Sequence, residues 1–299
     1  MRSSIDSQFL GATIYWMHLN HHVLMSNTQY FTDEFAINPY MDSSVPIDTA
    51  KATSEHQAIR QALESAGVQV DQVAAPPNCQ DGVYTANWAL VRGKQAILSS
   101  LPNTRQAEQP HAKHALQKYD LELINAPYRF SGQGDALPCG DLLFMGTGYR
   151  TDPRMHEFVA NTLSYKVISL QTVPSRDADN LPIMNPVTGW PDSFFYDLDL
   201  ALSVLRPNLI AWCPEAFVPE SQAKIRQLDI EKIEVSLEEA TKGFACNLVS
   251  TGETVIMSAD APVLKAAIEA KGIKTITPPV SELAKGGGYI RCVSLTLDN

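Results

Sequence analysis

Strand, helix and hairpin signals recur along this chain at intervals of roughly 50 to 60 residues, inside the period range of repeat architectures. A helix is predicted over residues 53–67, where Gly67 supplies the stop, and a strand over 68–73 that ends at Pro76-Pro77. Two apolar runs, 83–91 and 95–101, flank a turn at Arg92-Gly93-Lys94; a helix over 106–119 then leads to a strand over 121–125. A strand at 142–145 and a helix at 153–164 continue the pattern. Towards the C-terminus strands are predicted at 230–235, 244–250, 254–258, 274–277 and 290–297, with helices at 261–272 and 280–285. The units share no visible sequence identity, so the repeat is one of structure. Alternation of this kind favours an α/β fold over all-α or all-β. No low-complexity linker divides the chain. A single domain over 25–299 is therefore predicted, preceded by a poorly ordered extension over 1–24.

Charge narrows the partners. Lys plus Arg total 23 against 33 Asp plus Glu, a net charge of -10, which argues against non-specific nucleic-acid binding. No stretch reaches the roughly 18 apolar residues of a membrane span. The mildly apolar segment 9–25 is broken by His18, Asn20, His21 and His22 and lacks a signal-peptide cleavage site. Cys79, Cys139, Cys213, Cys246 and Cys292 are odd in number and form no CxxC pair. They fit free thiols in a reducing compartment, so a cytoplasmic location is expected and a zinc site is not.

The strongest local signal is Lys285-Gly286-Gly287-Gly288-Tyr289-Ile290-Arg291-Cys292. Consecutive glycines let the backbone approach a ligand closely. A cysteine beside Arg291 is where a lowered thiol pKa is expected. The competing reading is a glycine loop entering a buried strand, with Cys292 as a small core residue. Gly132-Gln133-Gly134 lacks the third glycine and the strand-helix context of a dinucleotide site, and no P-loop, HExxH or GxSxG occurs. Met155, Phe158 and Val159 read as core, Glu238-Glu239 as a solvated face, and Asp260 as a helix N-cap.

Four further segments accompany that terminus in order: 35–41 with Asn38, 81–87 with Asp81 and Asn87, 130–137 with Ser131 and Asp135, and 146–152 with Arg150. The set resembles the pentein superfamily of guanidino-group-modifying enzymes, over roughly residue 32 to the C-terminus. Its asparagine-containing motifs look most like the arginine dihydrolase branch. The resemblance implies a five-bladed α/β propeller of ββαβ units around a polar channel. It also implies a small guanidino-containing substrate, no metal or organic cofactor, and room for a homo-oligomer.

A guanidinium is planar and delocalised, so its carbon is a poor electrophile. By resemblance, Cys292 attacks that carbon to form a covalent thiouronium, while Asn38 and Asn87 face the guanidinium. Arg150 and Arg105 grip a substrate carboxylate, and Ser131 and Asp135 complete the contacts. For Arg105 the competing reading is a surface ion pair. Two positions depart from the family pattern. Ser131 stands where the family has glutamate, and Asp197, in Phe195-Tyr196-Asp197-Leu198-Asp199, stands where it has the proton-shuttling histidine that this glutamate orients, so the replacement is read as a coupled one. All seven histidines precede residue 157, so none can be realigned into that slot. Asp197 remains a candidate proton acceptor or cation partner, and with Asp199 it puts two carboxylates within three residues, where repulsion lifts one pKa if both face the pocket. The sequence thus supports a hydrolase, a catalytically silent guanidino binder, or an enzyme of altered chemistry such as amidino transfer.

Overall fold

The computed structural model describes residues 19–38, 41–42, 44–186 and 188–298. Most of the predicted extension, and Pro39 and Tyr40 of the first motif, lie outside the described residues. Within them, strand β1 (His22–Met25) runs into helix α1 (Thr49–Ser65) and returns as β2 (Gln69–Gln72), parallel to β1. The second unit repeats this with an added strand: β3 (Ala89–Arg92) and β4 (Gln95–Leu98) form a hairpin, α2 (Gln109–Leu116) crosses over, and β5 (Glu122–Asn125) pairs parallel with β4. The third comprises β6 (Ala136–Cys139), β7 (Leu142–Gly146), α3 (Arg154–Leu163) and β8 (Lys166–Leu170). The fourth comprises β9 (Leu202–Arg206), β10 (Leu209–Trp212), α4 (Pro219–Gln227) and β11 (Glu231–Glu234). After a short helix α5 (Leu237–Lys242), the fifth is β12 (Val249–Ser250), β13 (Thr254–Ile256), α6 (Pro262–Ala270) and β14 (Lys274–Ile276).

A last helix, α7 (Glu282–Lys285), precedes the final strand β15 (Leu295–Thr296), which pairs antiparallel with β1 and completes the first sheet. The fold is the predicted five-bladed α/β propeller of ββαβ units. Its ring is closed by the pairing of β1 with β15. The His21 and His22 amides donate to the Asp298 carboxylate at 3.0 and 3.1 Å. Val23, Leu24 and Met25 are fully buried in that seam. The boundary expected at Met25 therefore moves to at least His22, because the strand that ends at Met25 belongs to the first blade. No helix among the described residues is long and apolar enough to cross a membrane.

Helix α1 begins four residues before the predicted start, where Asp48 caps it by accepting from the Lys51 amide at 3.0 Å. It buries Ile59 and Leu63 against the core. Met155 and Val159 of α3 are likewise fully buried. Two assignments change. Asp260 does not cap α6; the amides of Val263 and Leu264 donate to Glu239 at 2.7 and 3.0 Å. Glu239 is accordingly buried, whereas Glu238 pairs with Lys242 on the surface. A carboxylate from a neighbouring helix satisfies the orphan N–H groups that a local cap would otherwise serve.

Candidate active site

In every blade, the segment just before the first strand turns inward, and these five turns meet. Asn87 precedes β3, Asp135 precedes β6, Asp197 and Asp199 precede β9, Asn247 precedes β12, and Cys292 precedes β15. The strands predicted at 244–250 and 290–297, and the apolar run at 83–91, are strands only at their ends. Their buried remainder forms these central turns.

Cys292 sits at the centre. Its thiol donates to Asp199 Oδ2 at 3.3 Å and accepts from Asn247 Nδ2 at 3.1 Å. Asn247 Oδ1 accepts from the amides of Arg291 and Cys292 at 2.9 and 3.2 Å, so one side chain fixes both the backbone and the sulfur. The expected lowering of the thiol pKa does not occur. Burial, and then the Asp199 charge, push it well above its usual value. Arg291 gives no help because it points away, donating to Gln133 Oε1 at 2.8 Å and Thr296 Oγ1 at 2.9 Å. Burial, reinforced by Asp197, likewise holds the Asp199 carboxyl well above the carboxylate range.

The two departing positions touch. Ser131 Oγ donates to Asp197 Oδ1 at 2.9 Å, and Asp197 Oδ2 accepts from Asn87 Nδ2 at 2.9 Å and Arg150 Nη1 at 3.2 Å. Arg150 also lies over the Tyr196 ring, 4.0 Å from its centroid. Gly134 allows this crowding: a side chain there would collide with Asn87 and Asp197. Asp135 lies behind, accepting from the Leu198 amide at 3.1 Å, its pKa raised to about 7 by burial and the nearby Asp197.

The surface reading of Arg105 does not hold. It is buried, not a surface residue, and it forms a two-pronged pair with Glu108 at 2.7 and 2.9 Å. A third donor reaches Asn87 Oδ1 at 2.8 Å. Burial alone would lower its pKa, but the Glu108 carboxylate overrides that and raises it. A guanidinium so engaged has its planar edge already matched to a carboxylate.

Asn38, Asn87, Arg105, Arg150, Asp197 and Cys292 all line one inner chamber of about 10 Å³, room for about one water. Ser131 and Asp135 support it from behind. Asn38 donates to Gly286 O at 3.2 Å and packs so closely on Gly287, which has a positive φ of 89°, that a side chain there would collide with it. Tyr84, Tyr196 and Asn247 are site residues that the sequence does not single out, and Asp81 has no assigned place there. No histidine lines the chamber among the described residues. His56 is buried in α1, held at about 4 by burial and Arg60, and His156 bonds to Gly146 O.

Asp81 and Arg105 also wall an outer vestibule of about 460 Å³, with Tyr30, Glu34 and Phe35. Burial pushes the Asp81 carboxyl up to about 6. Its folded pKa lies above the unfolded value, so the native state binds more protons between about 4 and about 6 and loses stability as pH rises through that window. Asp81→Asn is therefore expected to raise the melting temperature at pH 8, with the gap closing near pH 4. Equal melting curves at both pH values would contradict the burial argument.

Comparison with known proteins places this geometry. Residues 22–297 match the family described as N,N dimethylarginine dimethylhydrolase, eukaryotic. The chain is 30% identical to an N(G),N(G)-dimethylarginine dimethylaminohydrolase of Mycobacterium tuberculosis, over 91% of this chain and 84% of that one. It is 28% identical to the bifunctional arginine dihydrolase/ornithine cyclodeaminase AgrE of a Nostoc species, covering 91% of this chain but 37% of the longer relative. A crystal structure of the N-terminal domain of cyanobacterial ArgZ, a cysteine-to-serine variant bound to substrate, superposes with a TM-score of 0.82 at 26% identity, over 93% of this chain and 98% of that one. The five blades, their central cysteine and these matches agree: the chain belongs to the dimethylarginine dimethylaminohydrolase family of the pentein superfamily.

Proposed function

We propose that the chain binds an arginine-like guanidino compound in the inner chamber and that Cys292 attacks its guanidino carbon. One observation carries this reading: a cysteine sulfur in contact with a carboxylate, inside a chamber with surplus acid. Around it Asp81, Asp135, Asp197 and Asp199 outnumber Arg150 and Arg291, and Arg105 is matched to Glu108. Alone, the cluster keeps protons that free carboxylates would lose. A delocalised cation can replace them.

As the cation enters, it offsets the burial and the Asp197 charge that hold the Asp199 carboxyl above the carboxylate range; Asp199 gives up its own proton to solvent and can then take the thiol proton. The S–C bond forms as the thiolate attacks, the C–N bond to the leaving nitrogen breaks, and Asp199 returns the proton to that nitrogen. A Cys292 thiouronium and a free amine or ammonia result. Arginine dihydrolase and dimethylarginine dimethylaminohydrolase activities among the relatives support this substrate class.

The test is mass spectrometry of the protein incubated with arginine, methylated arginines, succinylarginine, agmatine and citrulline. A product or a Cys292-bound adduct is expected, reduced at least about a thousandfold in Cys292→Ser. Product formation that survives in Cys292→Ser overturns the nucleophile. Saturable binding without adduct or product favours the silent binder instead, a reading supported by the Arg150–Asp197 pair that fills the chamber.

A further inference from the structure

A second cavity, of about 40 Å³, lies against the same catalytic cluster and shares no lining residue with the inner chamber. Asp199 joins the two. Its Oδ2 receives the Cys292 thiol, while its buried Oδ1 has no hydrogen-bond partner in the protein. Ser203, on β9, lines the same cavity, and its buried Oγ is also without a partner. An orphaned carboxyl oxygen and an orphaned hydroxyl around one small void would each cost on the order of 1–3 kcal/mol if the void were dry. The volume exceeds what one water needs, and Asn20, Ser250 and Arg291 add polar lining. Half-buried Leu19 and Asn20 also line it.

We propose that this cavity is a water site through which Asp199 passes the Cys292 proton to solvent, with Ser203 as the residue that positions the water. The proposal rests on Cys292 being the nucleophile. The S–H bond of Cys292 breaks and its proton joins Asp199 Oδ2, while a proton on Oδ1 passes to the cavity water and on to solvent. Two protons shift in relay, the net loss is one proton from the thiol, and the carboxyl keeps its charge. The reverse path reprotonates the sulfur when the covalent adduct is released. Around Asp199 the groups that set this transfer are Asp197 on its own segment, Arg291 and Cys292 on the terminal turn, and Cys246 and Asn247 on the turn before β12.

Two measurements test it, and neither needs turnover. A crystal structure at about 1.5 Å is expected to show a water bonded to Asp199 Oδ1 and Ser203 Oγ; density without one overturns the site. The second follows alkylation of the Cys292 peptide by iodoacetamide across pH. Ser203→Val should slow it about tenfold, the size of one lost hydrogen bond to a charged group, and shift its pH midpoint upwards. Ser203→Thr, which keeps the hydroxyl, should restore the native profile. A Ser203→Val profile identical to the native one overturns the relay, and so does a native thiol that stays unreactive at every pH. If the guanidino panel gives no adduct while these results hold, the substrate assignment fails and the relay stands.

Discussion

Replacing Asp197 by His and Ser131 by Glu together is expected to raise the hydrolysis of a bound guanidino substrate by about 100-fold or more, the usual contribution of a positioned general base. The two side chains already touch, at 2.9 Å, so a carboxylate in place of the hydroxyl lies within reach of an imidazole in place of Asp197. It would fix the ring's orientation and favour its protonated form. Neither change alone should serve. Asp197→His by itself sets an unoriented imidazole beside the Arg150 cation. Ser131→Glu by itself crowds a second carboxylate against Asp197, and mutual repulsion would raise one of their pKa values. The effect is thus strongly non-additive, and steady-state rates of the four proteins would reveal it. Two single variants that each match the double would show that the pair does not act as a unit.

The departure from the family pattern was readable at Ser131 and Asp197 because both lie inside recognisable motifs. That the two replacements are coupled was readable only through the resemblance, in which that glutamate orients the histidine; with 66 positions between them, the residues alone do not show the contact. The helices over 153–164 and 261–272 were legible because one apolar face repeats every three to four residues. The runs 83–91 and 244–250 misled for the opposite reason. Valine, tyrosine and phenylalanine there are buried in the central turns, and burial without periodicity looks like a strand interior. Asn247 carried no signal at all, since its partner Cys292 lies 45 residues away. For the Cys292 thiol, adjacency to Arg291 in sequence counts for less than burial and the approach of Asp199 from another blade. Arg105 shows the same limit. Glu108 three residues on made an ion pair legible, but only the fold shows that the pair is buried.

Asp197→Ala is expected to destabilise the protein by about 3–5 kcal/mol, the cost of stripping a buried cation of its partner. Arg150 and Asp197 are 5% and 1% exposed, so solvent cannot take over. The Tyr196 ring leaves Arg150 only a weaker attraction, and Asn87 and Ser131 each lose an acceptor. Adding Arg150→Met should recover much of the loss, because the second change removes the stranded charge. Chemical denaturation of the two single variants and the double measures the coupling directly, and additive losses would show that the pair is not what holds either residue. The cycle also bears on function. Arg150 is itself a guanidinium, held by a carboxylate and stacked on an aromatic ring, which is how a substrate guanidinium would be held. A ligand entering the chamber must therefore compete with Arg150 or displace it. If Arg150→Met, which vacates that place, binds the guanidino panel more tightly than the native chain, the pair restrains the site; if it binds less tightly, Arg150 grips the ligand directly, as the family resemblance implies.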